Sequence, residues 1–212
     1  MREVVADNAS TLTELCVGSR HSWADEDIRA LLEAATALQL LQASVVVVTD
    51  RQVARAMLRN QPPFQALRLQ KLYVAGYLET ADDVVAFSSE LRCHTSLQGL
   101  GLTSAALDTA AAMGAIVDAC IALGLRELQL GAWRGAPAVL SELTRLIAAG
   151  VLRELIVYDS GVALFGEAHE STRLFVAAVR ASAMTKLQLD GLWGELPDDV
   201  VQAAAFINAR QQ

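Results

Sequence analysis

LRELQLG (Leu125–Gly131) and LRELIVY (Leu152–Tyr158) begin with the same four letters, 27 residues apart. After the shared letters, Leu128 and Leu130 in one copy, and Leu155 and Val157 in the other, are separated by a single residue. Alternate residues of a strand lie on one face, so each copy predicts a short strand with two apolar side chains turned to a core. The template LxxLxL, moved along the chain, matches with first positions at 12, 38, 69, 97, 125, 152 and 184, in steps of 26, 31, 28, 28, 27 and 32. One match means little in a leucine-rich chain, but seven at a near-constant step predict a repeat array.

The intervals carry helical spacing. Ile28, Leu31, Leu32 and Ala35 form one stripe and Leu140, Leu143 and Ile147 another. Asp82–Asp83 and Asp198–Asp199 sit where helices would begin and the macrodipole favours negative charge. Gly124 and Gly150 stand between helix and next strand, where a left-handed cap is needed. Pro62 and Pro63 end a helix before the strand at Leu69, and Phe165 to Thr172 reads as a loop. A lone strand–helix pair leaves its apolar face bare, and stacking such pairs buries it.

This pattern resembles the leucine-rich repeat superfamily, in the long, helix-bearing class typified by ribonuclease inhibitor, from Leu12 to about the C-terminus. The resemblance implies an α/β solenoid of about seven strand–helix repeats, with a parallel concave sheet and convex helices, as one array over 1–212. The family pattern continues to Asn or Cys at its ninth position. Here those positions hold Arg20, Val46, Tyr77, Ala105, Trp133, Ser160 and Leu192, so the usual side-chain ladder between turns is absent or replaced.

Composition narrows the function. Of 212 residues, 53% are hydrophobic and 19% charged, enough for a core, and only 5% are aromatic, which favours many small interfaces. A net charge of −7 with no run of Lys and Arg argues against a nucleic-acid partner. Cys16, Cys93 and Cys120 are odd in number and widely spaced, as expected of a reduced intracellular, cytoplasmic setting. The start lacks a signal peptide's apolar stretch, and the apolar run from Ala105 to Leu125 contains Asp108 and Asp118, so it predicts a buried helix and no membrane span. Only eleven residues precede the first strand, which predicts an N-terminal end open to self-association or to continuation by more chain.

No catalytic constellation is visible, and the chain reads as a non-enzyme without metal or cofactor. His21, His94 and His169 fall in different repeats. Cys93 and His94 are adjacent, so on a helix they diverge, with a buried cysteine beside an exposed histidine as the plain reading. Glu167, His169 and Glu170 on one loop are a weak metal set, better read as solvated.

The outward strand positions are more informative. In the template the third positions are Glu14, Leu40, Lys71, Gly99, Glu127, Glu154 and Lys186, and the fifth are Cys16, Gln42, Tyr73, Gly101, Gln129, Ile156 and Gln188. Gly99 and Gly101 predict a bare patch mid-array. Glu127 and Glu154 fall one strand apart, roughly 5 Å, where like charges need a cation to answer them. Tyr77, Trp133, Tyr158 and Trp193 gather just past the strands as an aromatic rim, the residue types enriched at binding hot spots. The predicted contact surface for a protein partner is Tyr73, Tyr77, Glu127, Gln129, Trp133, Glu154, Ile156, Tyr158, Lys186, Gln188 and Trp193. The rim aromatics can equally fill turns that lack the family Asn. The alternative is a structural subunit docking through its ends or convex helices.

Overall fold

Leu72, Leu100, Leu128, Leu155 and Leu187 stand in register on five consecutive parallel strands, each no more than 2% exposed. They form the inner row of the computed structural model, which describes residues 14–17, 40–43, 46–48, 67–75, 78–131, 137–158, 165, 170–190 and 196–210. The strands are β1 (Glu14–Val17), β2 (Leu40–Ala43), β3 (Val46–Val48), β4 (Leu67–Leu69), β5 (Lys71–Ala75), β6 (Gly99–Thr103), β7 (Glu127–Gly131), β8 (Glu154–Tyr158) and β9 (Lys186–Asp190). One sheet runs β3-β5-β6-β7-β8-β9 and a smaller one β1-β2-β4, with every pairing parallel.

Helices alternate with the last five strands: α1 (Ala81–Leu91), α2 (Ala110–Leu123), α3 (Pro137–Ala148), α4 (Glu170–Ala181) and α5 (Asp198–Ala209), with a 3-10 turn at Ala105–Asp108 before α2. Each helix packs on its sequence neighbours. Their buried stripes, such as Val84, Phe87 and Leu91 on α1 or Leu140, Leu143 and Ile147 on α3, join the inner strand row in one core. Each fully buried leucine contributes about 2 kcal/mol of transfer free energy. The helices therefore cover one face of the sheet, and the other face carries half-exposed side chains.

Local chemistry explains the boundaries. Thr80 caps α1 reciprocally: its hydroxyl accepts from the Asp83 N–H at 3.1 Å, and the Asp83 carboxylate accepts from the Thr80 N–H at 3.2 Å. Thr109 caps α2 by accepting from the Ala112 N–H at 3.1 Å. Gly124 ends α2 with φ 64°, and Gly150 follows α3 with φ 73°, both in the left-handed region expected of them. The apolar run from Ala105 is the 3-10 turn and α2, with Met113, Ile116, Val117 and Cys120 fully buried.

Three expectations shift. The template aligns Leu41 with Leu72, yet Leu72 pairs with Val46 and Leu41 with Leu67, so the second and third units are offset by 26 residues, not 31. Both segments are strands: Leu40–Ala43, where the template matches, pairs with β1 and β4, and Val46–Val48 pairs with β5, a division that template matching alone does not show. Glu170, Ser171 and Thr172, read as loop, form the first turn of α4, where Thr172 is buried. Cys93 is exposed and His94 is 4% exposed, the reverse of the reading from sequence, because both lie in the turn after α1.

Main-chain bonds tie unit to unit at the strand entrances. The Gln70 carbonyl accepts from the N–H groups of Gln98 and Gly99, that of Gln98 from Arg126 and Glu127, that of Arg126 from Arg153 and Glu154, and that of Arg153 from Thr185 and Lys186, at 2.7–3.1 Å. At the opposite strand ends, buried Ser104 links three units. Its hydroxyl donates to the Leu78 carbonyl and accepts from the Ala106 N–H at 3.0 Å, and its N–H donates to the Gly131 carbonyl at 3.2 Å. Ser104 stands one position before Ala105, the ninth template position of its unit.

Candidate functional site

On the open face of the sheet, three rows of side chains run across the strands. The first is Lys71, Gly99, Glu127, Glu154, Lys186; the second Tyr73, Gly101, Gln129, Ile156, Gln188; the third Thr103, Gly131, Tyr158, Asp190. β5 to β9 thus assemble eight of the eleven residues expected at the contact surface. Tyr77, Trp133 and Trp193 lie outside the described residues.

The expected bare patch is occupied. A Cβ placed on Gly101 would lie 2.1 Å from Cδ1 of Tyr73, so the Tyr73 ring crosses β6 directly over that glycine. It reaches β7, where its hydroxyl donates to Oε1 of Glu127 at 3.0 Å. Lys71 passes over Gly99 in the same way and pairs with Oε2 of Glu127. The Gln129 side-chain amide donates to Oε1 of Glu127 at 2.8 Å and to the Tyr73 oxygen at 3.0 Å. The absent side chains of β6 let β5 grip β7.

Glu127 is consequently 7% exposed, and it is no free contact residue as its outward position suggested. Burial draws its carboxyl upward, but the ammonium of Lys71 and the donors of Tyr73 and Gln129 outweigh that and hold it below the ordinary carboxylate range. Burial, followed by the Glu127 charge, pushes the Tyr73 phenol well above its usual value, so it remains a donor.

Tyr158 mirrors Tyr73 from the other side. A Cβ on Gly131 would lie 2.3 Å from Cε2 of Tyr158, so this ring crosses β7, and its oxygen stands 3.2 Å from the Thr103 hydroxyl on β6. Tyr158, expected at the rim, therefore lies across the sheet. Alternation singled out Tyr73 and the rim reading Tyr158, but neither gave Glu127 as the partner of the first or Thr103 as that of the second. The signal available was a glycine beside a tyrosine in an adjacent unit, Gly101 with Tyr73 before it and Gly131 with Tyr158 after it.

Beyond this network, Glu154, Ile156, Lys186 and Gln188 are half-exposed, and Gln188 donates to the Asp190 carboxylate. Among the described residues, Glu154 and Lys186 form no ion pair, and no group of three His, Cys, Asp or Glu could hold a metal. Burial pushes the Cys120 thiol up to about 12, which leaves it protonated and inert. No described helix is long and apolar enough to cross a membrane.

No protein-family model and no curated protein matches the chain. Among solved structures it is similar to leiomodin-1 actin-binding site 2, with a TM-score of 0.52 and 15% identity over 74% of this chain and 88% of that one. At that identity the likeness is one of fold.

Proposed function

We propose that the chain is a non-catalytic protein-interaction module, a leucine-rich repeat array of the ribonuclease-inhibitor-like class, whose partner docks on the open face of β5–β9. In this reading the seven template matches are seven units, and the three-stranded sheet holds the first of them. The observation that carries the function is a polar and aromatic face pre-set by bonds reaching across two strands. Lys71 and Tyr73 are anchored to Glu127, and Tyr158 to Thr103, so little side-chain freedom remains to be lost on binding. That a similarly folded chain is the actin-binding site of leiomodin-1 fits a protein partner without naming this one. The sixth and seventh units supply Glu154, Ile156, Lys186 and Gln188 as the accessible contacts.

A second reading, docking through the convex helices within a larger assembly, has Leu174, Val201 and Phe206 in its favour, each about half exposed on α4 and α5. Affinity capture from the native source separates the two. The wild-type chain, Ile156→Arg on the sheet and Leu174→Arg on α4 serve as baits of matched thermal stability. Loss of the captured protein with Ile156→Arg alone is the expected result. Loss with Leu174→Arg alone assigns the contact to the helices and overturns the proposal.

A further inference from the structure

Glu127 and Glu154 are directly opposite each other on neighbouring strands, the arrangement in which like charges oppose strand pairing unless cations answer them. Lys71 answers the first, reaching it across Gly99 from two strands away. Among the described residues no ion pair answers the second. Lys186 is its register neighbour on β9, yet the two form no ion pair, and among the described residues Glu154 has no hydrogen-bonded side-chain donor. Its carboxylate is half-exposed on the face already read as the docking surface.

What lies around that carboxylate is chemically specific. Two positions along β8, on the same face and so about 7 Å away, half-buried Ile156 is the apolar neighbour. A further two positions on, Tyr158 lies across Gly131. A charged group at Glu154 and an aliphatic contact at Ile156 match the reach and composition of a lysine or arginine side chain, whose methylene stem covers apolar surface while its head stays polar.

We infer that Glu154 receives a cationic side chain, arginine or lysine, from an extended segment of the partner, with its stem over Ile156. The inference rests on the sheet-face reading above and adds the charge that the partner must bring. Lys71 models the interaction within the chain: a cation laid across the strands onto a carboxylate of the same row.

The test is an amide chemical-shift titration of the full-length chain with three acetylated, amidated pentapeptides differing only at the centre: arginine, its neutral isostere citrulline, and glutamate. The arginine peptide is expected to shift the amides of Glu154–Tyr158 in a saturable way. The citrulline peptide should bind about fivefold more weakly, and Glu154→Gln should weaken the arginine peptide by about the same factor, as for one exposed ion pair, while leaving the unfolding midpoint unchanged. Equal binding of arginine and citrulline peptides, no effect of Glu154→Gln, or shifts with the glutamate peptide alone would each overturn the inference while leaving the sheet face as the docking surface. Failure of all three peptides to move any sheet-face amide would remove both readings.

Discussion

Gly101 and Gly131 are positions where the absence of a side chain is the functional property. Any Cβ there falls within 2.3 Å of a tyrosine ring, well inside van der Waals contact. Gly131→Ala should therefore cost about 1–3 kcal/mol in urea denaturation, as overpacking does, and adding Tyr158→Ala should restore part of the loss. A double variant no more stable than Gly131→Ala would show that the ring is not what the methyl group strikes. Glu127 sets an acid limb. Its carboxyl is held below the ordinary range when folded, so its stabilising contribution is complete above the unfolded glutamate value and drains away as pH falls through the folded one. Glu127→Gln should accordingly flatten the loss of unfolding free energy on acidification, measured by denaturant titration at stepped pH. Alternation in LRELQLG marks Glu127 and Gln129 as outward. That Lys71 and Tyr73 arrive over two intervening glycines was not legible, because reach across a sheet depends on what the middle strand lacks.

Among the elements, β9 stands at the edge of the larger sheet, and α5 closes it. The Asn208 side chain accepts from the Leu187 N–H and donates to the Leu187 carbonyl, both at 3.0 Å, so one amide occupies the two groups that a further strand would use. Arg210 adds a bond to the Ser182 carbonyl at 2.8 Å and rests 4.4 Å over the Phe206 ring. Asn208→Ala should lower stability by about 1–2 kcal/mol, for two lost hydrogen bonds, and raise the sedimentation-detected self-association of an uncovered edge. An unchanged monomer of unchanged stability would dismiss the blocking role. The strands from Leu72 onward were readable because LxxLxL recurs there with leucine at the inner positions. The 26-residue register of β3 with β5 was not, since the template match ends in β2, and Val46–Val48, which pair with β5, lie outside that match.

At the scale of the whole molecule, the inner leucine row couples each strand–helix unit to its neighbours. Leu128→Ala empties a fully buried position at the centre of the larger sheet and should destabilise by about 2–5 kcal/mol. In native-state hydrogen exchange the loss should appear in β6 to β8 before β9, as nearest-neighbour coupling requires. Uniform loss across β5 to β9 would instead mark a single cooperative block. The strand-entrance ladder has its own evolutionary consequence. Four carbonyls each hold two amides of the following unit, and not one of those bonds involves a side chain. The letters at Gln70, Gln98 and Arg126 are thus released from holding the pitch of the coil, and saturation mutagenesis should find them permissive, whereas Arg153 also donates from its guanidinium to the Ala183 carbonyl at 2.7 Å. A scaffold so constructed can change those letters and keep its shape.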